Sequence, residues 1–392
     1  MVADGTQRVN RLRELMRQAG VDALVCTLPE NVLYITDYWP HHGFSVAVLP
    51  RDGKPVLFLP EIEQDYANPR WAEVRPFGWG LLGDPDLYDS YRRLLGQVRD
   101  RLGLGRAAVG LEKSAEIVAP TYRAAEPVVP AAPWWSLMNE LFDAGRQVDA
   151  TNLLQEAKAI KTEYDLHKLR IACEIAEAGM REALEELRPG MTEAQVGAAI
   201  ERNIRAGGPG YRGARLVRAF AEVGAGPVGS TKGTLLVPST ERVISEGHVV
   251  MVELATVVDG YWSDLTYMAV AGEPSERQRE VHNAVLQAQQ AAAREVRVGA
   301  PVSAPDEAAR RVLKEAGLER YFPHITGHGV GFRYHEGPPI LAPGMDHTLR
   351  QGMVVTVEPG VYIPDFAGIR IEDNVAVGPD GPVFLSTPRQ PW

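Results

Sequence analysis

At 392 residues, 45% of them apolar, the chain is too long for one comfortable core and long enough for two domains. Its formal net charge of -10 argues against a nucleic-acid or anionic-membrane partner, since neither surface attracts an acidic protein. No apolar run follows Arg8, Arg11 and Arg13, and no stretch approaches about 18 uninterrupted apolar residues, so the expectation is a cytoplasmic protein.

In chain order, residues 7–18 are amphipathic and 22–27 form an apolar strand, and the apolar runs 44–49 and 55–59 flank the turn signal Asp52-Gly53. These alternating patterns predict an α/β module. Cys26 and Cys173 lie in apolar patterns far apart and read as buried free thiols. Tyr38-Trp39-Pro40-His41-His42 reads as a loop with partly buried aromatics. A Pro- and Ala-rich stretch over 119–133, followed by polar residues near 145–152, predicts a boundary between domains at 1–150 and 151–392. Beyond it, 153–187 reads as helix broken at Thr162-Glu163, where the threonine can cap a second helix, and Thr192 caps another over 193–206. A last long helix over 275–297 is set among paired strands. Helices packed on one face of a sheet, an α+β arrangement, fit this order better than alternating βαβ units.

The chemistry-bearing residues cluster in this second half. Asp259-Gly260 is a two-residue hairpin signal; with that turn Ala255 faces Asp264, and Glu253 lies two residues along the same strand, so both carboxylates share one face. A second pair recurs in Val357-Glu358-Pro359-Gly360 and Arg370-Ile371-Glu372-Asp373, where acids sit in largely apolar runs. A desolvated carboxylate there needs pairing, protonation or a metal ion. Three histidines fall within twelve residues, at His324, His328 and His335, and the glycines on both sides of His328 let it approach a cluster closely. Four carboxylates and one imidazole suit Mn²⁺, Co²⁺, Fe²⁺ or Zn²⁺ in a pair, where a shared water becomes hydroxide.

With these motifs, His324-x-x-Gly-His328-Gly-x-Gly, His335-Glu336, Val357-Glu358-Pro359-Gly360 and Arg370-Ile371-Glu372-Asp373, residues 153–383 resemble the pita-bread fold of methionine aminopeptidases, Xaa-Pro dipeptidases (prolidases) and aminopeptidase P. The first half resembles the creatinase-type N-terminal domain of the prolidase branch. The resemblance implies a hydrolase of short peptides with two divalent metal ions, held by Glu253, Asp264, His328, Glu358 and Glu372. Glu358 would also relay the proton of the attacking water, and His324, His335 and Arg370 would contact substrate. It further implies a homodimer in which loops of the first domain reach the active site, often the partner's.

Two positions depart from the peptidase pattern. Glu253 stands where those enzymes have Asp, and the stretch Thr234-Leu235-Leu236-Val237-Pro238 lacks their upstream His, with Lys232 nearby as a substitute. Altered ligands also occur in creatinase and ectoine hydrolase, which resemble this chain and cleave small C–N substrates without metal. In that alternative Glu253 acts as base or nucleophile and His328 carries the proton. A non-catalytic binding module is the third alternative.

Overall fold

The computed structural model describes residues 5–41, 44–67, 71–78, 86–113, 131–234 and 239–392. His42, most of the 119–133 stretch and residues 235–238 lie outside them. The chain divides into two units, Met1–Lys158 and Ala159–Trp392. In the first, the amphipathic opening is helix α1 (Thr6–Gln18), which buries Val9, Leu12 and Met16 at helical spacing. It is followed by β1 (Ala23–Cys26), α2 (Pro29–Thr36), β2 (Val46–Pro50), β3 (Val56–Pro60), β4 (Glu73–Phe77), α3 (Leu87–Arg101), β5 (Val109–Leu111), α4 (Ala132–Leu141) and β6 (Gln147–Asp149). The sheet runs β4-β3-β2-β1-β5-β6, antiparallel through the β2–β3 hairpin and parallel along β1, β5 and β6. Val25, Val48 and Phe58 of the sheet pack with Leu94 of α3 and Leu137 of α4. In the Tyr38–His41 segment the Tyr38 hydroxyl bonds to the buried Glu63, and the His41 ring lies 5.1 Å from that of Tyr66.

Helix α5 (Thr151–Ala159) carries the chain across the division. In the second unit α6 (Glu163–Glu185) and α7 (Glu193–Gly207) begin at capping boxes, Thr162 with Asp165 and Thr192 with Gln195, where each hydroxyl accepts from a backbone amide that the first turn leaves unpaired. The strand β7 (Val217–Ala225), the short α8 (Gly226–Gly229), β8 (Val249–Val258) and β9 (Tyr261–Val270) follow. Next come α9 (Glu276–Arg294), capped by Ser275 and ending three residues before its pattern predicts, and α10 (Ala304–Glu315). The chain closes with β10 (Gly327–Gly329), β11 (Glu336–Leu341), β12 (Val354–Val357), β13 (Gly360–Ile363), β14 (Ala367–Arg370), β15 (Asp373–Val377) and β16 (Pro382–Phe384).

For the second unit the pattern predicts one sheet backed by helices; among its described residues there are three, β7-β8-β9, β11-β10-β12-β15-β16 and β13-β14. Each larger sheet has its own helical pair, α6 and α7 on the first and α9 and α10 on the second, so two apolar cores form, and the strand faces turned away from them are left for polar side chains.

Candidate metal centre

Alternation along four strands builds the centre. Asp259 and Gly260 turn with φ of 52° and 88°, the left-handed pair of a tight hairpin. This register sets Ala255 opposite Asp264 and Glu253 opposite Thr266. Val250, Val252 and Leu254 of β8 and Leu265 of β9 point into the α6–α7 core. With a period of two, Glu253, Asp264 and Thr266 share the opposite face.

The second pair of acids obeys the same rule. Val357 pairs with Asp373 and Gly360 with Arg370, so a single register runs through both ladders of this hairpin and places Glu358 opposite Glu372 in the break between them. Val355, Val357, Ile369, Ile371 and Val375 enter the α9–α10 core. The even-numbered residues Thr356, Glu358, Arg370, Glu372 and Asn374 therefore face the other way.

His328 comes from the short β10, between Gly327 and Gly329. A Cβ at Gly327 would fall 2.0 Å from the Thr356 carbonyl oxygen, so only glycine lets the strand approach this closely. The His328 Nδ1 lies 2.9 Å from the Gly329 carbonyl, which turns Nε2 to 3.3 Å from Glu358 Oε1 and 3.6 Å from Asp264 Oδ2. The His335 ring stands 4.3 Å from that of His328.

Further bonds tie the acids together. Thr266 Oγ1 lies 2.7 Å from Glu372 Oε2 and 3.1 Å from Glu253 Oε2, and Thr356 Oγ1 donates to Glu358 Oε1 at 3.0 Å. Arg370 pairs with Glu253 through Nη2 and donates to Thr266 Oγ1 (2.9 Å) and the Tyr362 hydroxyl (3.0 Å). That hydroxyl is 2.9 Å from His324 Nε2. The Tyr334 hydroxyl bonds to Glu253 Oε1 and, at 2.6 Å, to Asp264 Oδ1.

Charge crowding is severe. Burial, then the charge of Glu253, pushes Asp264 well above the ordinary carboxylate range, and burial, then Asp264 and Glu358, does the same to Glu372. Burial is the largest influence on Glu358 and opposes its charge, but the hydrogen bond to His328 and the charges of His328, Arg370 and His324 together outweigh it and hold the group low. His328, which burial alone would lower, is raised to about 9 by Glu358 and Asp264.

The donor set fits a divalent cation. Two groups of ligand atoms each lie within 4.8 Å of one another, Asp264 with His328 and His335, and Glu253 with Asp264 and Glu372, so Asp264 is common to both. Glu372 Oε1 is buried with no hydrogen-bond partner, an acceptor that a cation would satisfy. The structure thus brings Glu253, Asp264, His328, Glu358, Glu372, His335 and Arg370 to one place, with His324 reached through Tyr362. Sequence reasoning passed over Thr266, Thr356, Tyr334, Tyr362 and Asn374. The signal for Thr356 and Asn374 was a polar residue in phase with the acids of its own strand.

Residues 167–379 match metallopeptidase family M24. The chain belongs to that family. Residues 8–148 of this M24 peptidase match the creatinase/prolidase N-terminal domain. An uncharacterized peptidase of Staphylococcus aureus (strain USA300) is 27% identical over 376 residues, covering 95% of this chain and 97% of its own. Among solved structures, an Xaa-Pro dipeptidase from Bacillus anthracis has a TM-score of 0.77 at 26% identity and 99% coverage of both chains. An X-Pro aminopeptidase from Thermotoga maritima MSB8 has a TM-score of 0.77 at 25% identity, covering 95% of this chain and 97% of its own. The second unit of the M24 hydrolase is a pita-bread domain and the first a creatinase-type domain. Family membership implies divalent metal at the carboxylate and histidine centre. Among the described residues no helix is long and apolar enough to cross a membrane.

Proposed function

We propose that this M24 peptidase hydrolyses short Xaa-Pro peptides, with Glu253, Asp264, His328, Glu358 and Glu372 as ligands of two divalent ions drawn from Mn²⁺, Co²⁺, Fe²⁺ or Zn²⁺. The observation that carries the reading is the pair of ligand groups sharing Asp264, with the orphaned Glu372 Oε1 among them. When bound, divalent metal supplies Lewis-acid polarisation of the scissile carbonyl and a more acidic water. Glu358, kept ionised by His328 and Thr356, takes the proton of the attacking water at its carboxylate and hands it to the leaving nitrogen. His335 donates to the carbonyl oxygen as negative charge develops there. Arg370 and His324, joined through the Tyr362 hydroxyl, orient the substrate. The Xaa-Pro preference is supported by likeness to the Bacillus anthracis dipeptidase and the Thermotoga maritima aminopeptidase. We further assign domains at 1–150 and 151–392 from the composition shift near 145–152, and a cytoplasmic homodimer; gel filtration would test the dimer.

The decisive experiment is elemental mass spectrometry before and after soaking with Mn²⁺, Co²⁺ and Zn²⁺, with an Xaa-Pro dipeptide assay beside it. Bound metal with chelator-sensitive turnover is expected. A second reading draws on Glu253, whose oxygens already face Arg370, Thr266 and Tyr334: a metal-free C–N hydrolase of small substrates with Glu253 as base and His328 as proton carrier. Turnover that survives a strong chelator would replace the first reading with this one.

A further inference from the structure

We propose that Tyr334 makes the two halves of the centre unequal, its phenol occupying the space between Glu253 and Asp264 that an ion joining those carboxylates would need. Metal then binds first on the His328 side, and the Glu253 side fills only by displacing the phenol. The inference rests on the metal reading above and concerns the order and strength of filling.

The phenol oxygen bonds to one oxygen of each carboxylate, Glu253 Oε1 and Asp264 Oδ1. A divalent ion held by these same two oxygens would have to compete with the phenol for them. Tyr334 is not easily moved. It is buried, its ring packs against Trp262 at 6.0 Å and His335 at 4.4 Å, and Trp262 in turn stacks on Phe220. Glu253 is also engaged through Oε2, which faces Arg370 Nη2 and Thr266 Oγ1. Its side chain, one methylene longer than Asp, is what carries this carboxylate out to both partners. An ion on that side must therefore break a charged hydrogen-bond set before it gains ligands.

Among the described residues no phenol bridges the ligands of the other side. Asp264 turns its second oxygen, Oδ2, toward His328 Nε2, and Glu358 Oε1 meets the same nitrogen. His335 completes this group, its ligand atom lying within 4.8 Å of those of Asp264 and His328. The two halves share Asp264, yet only one is closed by a phenol.

Calorimetric titration of the metal-stripped protein with Mn²⁺ is the test. Two events are expected in the wild type, the second weaker than the first by about ten- to a hundredfold, the size of one hydrogen bond to a charged acceptor. Tyr334→Phe keeps the ring and removes the hydroxyl; it should tighten the second event by about tenfold or more and leave the first within about twofold. Two events of equal affinity in the wild type would overturn the inference without needing the variant. So would a Tyr334→Phe protein whose second event weakens, because the hydroxyl would then be a ligand and not an obstacle. Elemental analysis after gel filtration gives an independent count, with one ion per chain expected in the wild type and two in the variant. No bound ion in either protein would remove the metal reading itself, an outcome distinct from two equal ions.

Discussion

Asp264 and Asn374 exchange hydrogen bonds between two sheets: the Asp264 amide donates to Asn374 Oδ1 at 3.1 Å, and Asn374 Nδ2 donates to the Asp264 carbonyl at 2.7 Å. The shared ligand is thus fixed at its backbone, leaving its carboxylate free to face His328 and Tyr334. Asn374→Ala orphans a buried amide and a buried carbonyl, which costs about 1–3 kcal/mol in denaturant unfolding. Because the bond aims a ligand, metal affinity should fall roughly ten- to a hundredfold in the same variant. Lost stability with unchanged affinity would show that the pair only joins the sheets.

The ion pair of His328 and Glu358 sets a pH dependence with a definite sign. The His328 pKa is raised from 6.5 to about 9, so its contribution in metal-free protein is fully present below pH 6.5 and is lost as pH rises through about 9. Glu358 is lowered from 4.5, so its contribution is present above pH 4.5 and is lost as pH falls through its depressed value. Metal binding runs the other way above neutrality, because His328, raised to about 9, must give up its proton to bind an ion. The Tm of chelated protein should therefore fall between pH 6.5 and 9, while the gap between metal-loaded and chelated Tm widens. Calorimetry in two buffers of different ionisation enthalpy should show protons released on binding. A flat Tm for the chelated protein across that window would remove the ion pair from the account.

Much of this centre was legible because strand geometry is nearly digital. The turn Asp259-Gly260 predicts the facing of Ala255 and Asp264 one residue at a time, and the observed register agrees. Acids in apolar runs likewise marked Glu358 and Glu372. What pattern reading could not reach was the partner of each acid. Glu253 meets Arg370 across 117 positions of sequence and Tyr334 across 81, and no local periodicity encodes such contacts. The division into separate sheets was also hidden, since runs such as Val354–Val357 look alike whichever sheet they join. Of the upstream stretch 234–238 that lacks a histidine, residues 235–238 lie outside the described residues.

Gly327 carries a prediction drawn from close approach alone. A methyl group there would stand 2.0 Å from the Thr356 carbonyl oxygen and 2.9 Å from its hydroxyl, and backbone cannot step aside as a flexible side chain can. Gly327→Ala should cost about 1–3 kcal/mol or more as an overpacked site. It should also push β10 away from β12 and weaken metal binding through His328, whose amide donates to Thr356 Oγ1 at 3.0 Å. Gly344→Ala, at a position with open space but a φ of 73°, is the comparison: it should cost stability through backbone strain and leave metal affinity unchanged. Equal effects of both variants on metal affinity would refute the argument from proximity.

Lys161 and Glu336 form a buried pair just behind the segment that carries Tyr334 and His335. The ammonium lies 2.5 Å from Glu336 Oε2, with side-chain exposures of 0% and 4%, and Glu336 Oε1 accepts from the amides of Phe332 (2.6 Å) and Arg333 (3.0 Å). Glu336 thus fixes the turn before His335, and Lys161 neutralises the charge that does so. Lys161→Met removes the cation and strands a buried carboxylate, which should cost about 3–5 kcal/mol. The double variant Lys161→Met with Glu336→Gln keeps an oxygen for the two amides and no longer buries a charge, so most of the loss should return. Guanidinium unfolding of the wild type, both single variants and the double variant closes the cycle. A strong positive coupling is expected; additive losses would mean that the lysine serves packing alone and that the turn is held by Glu336 without it.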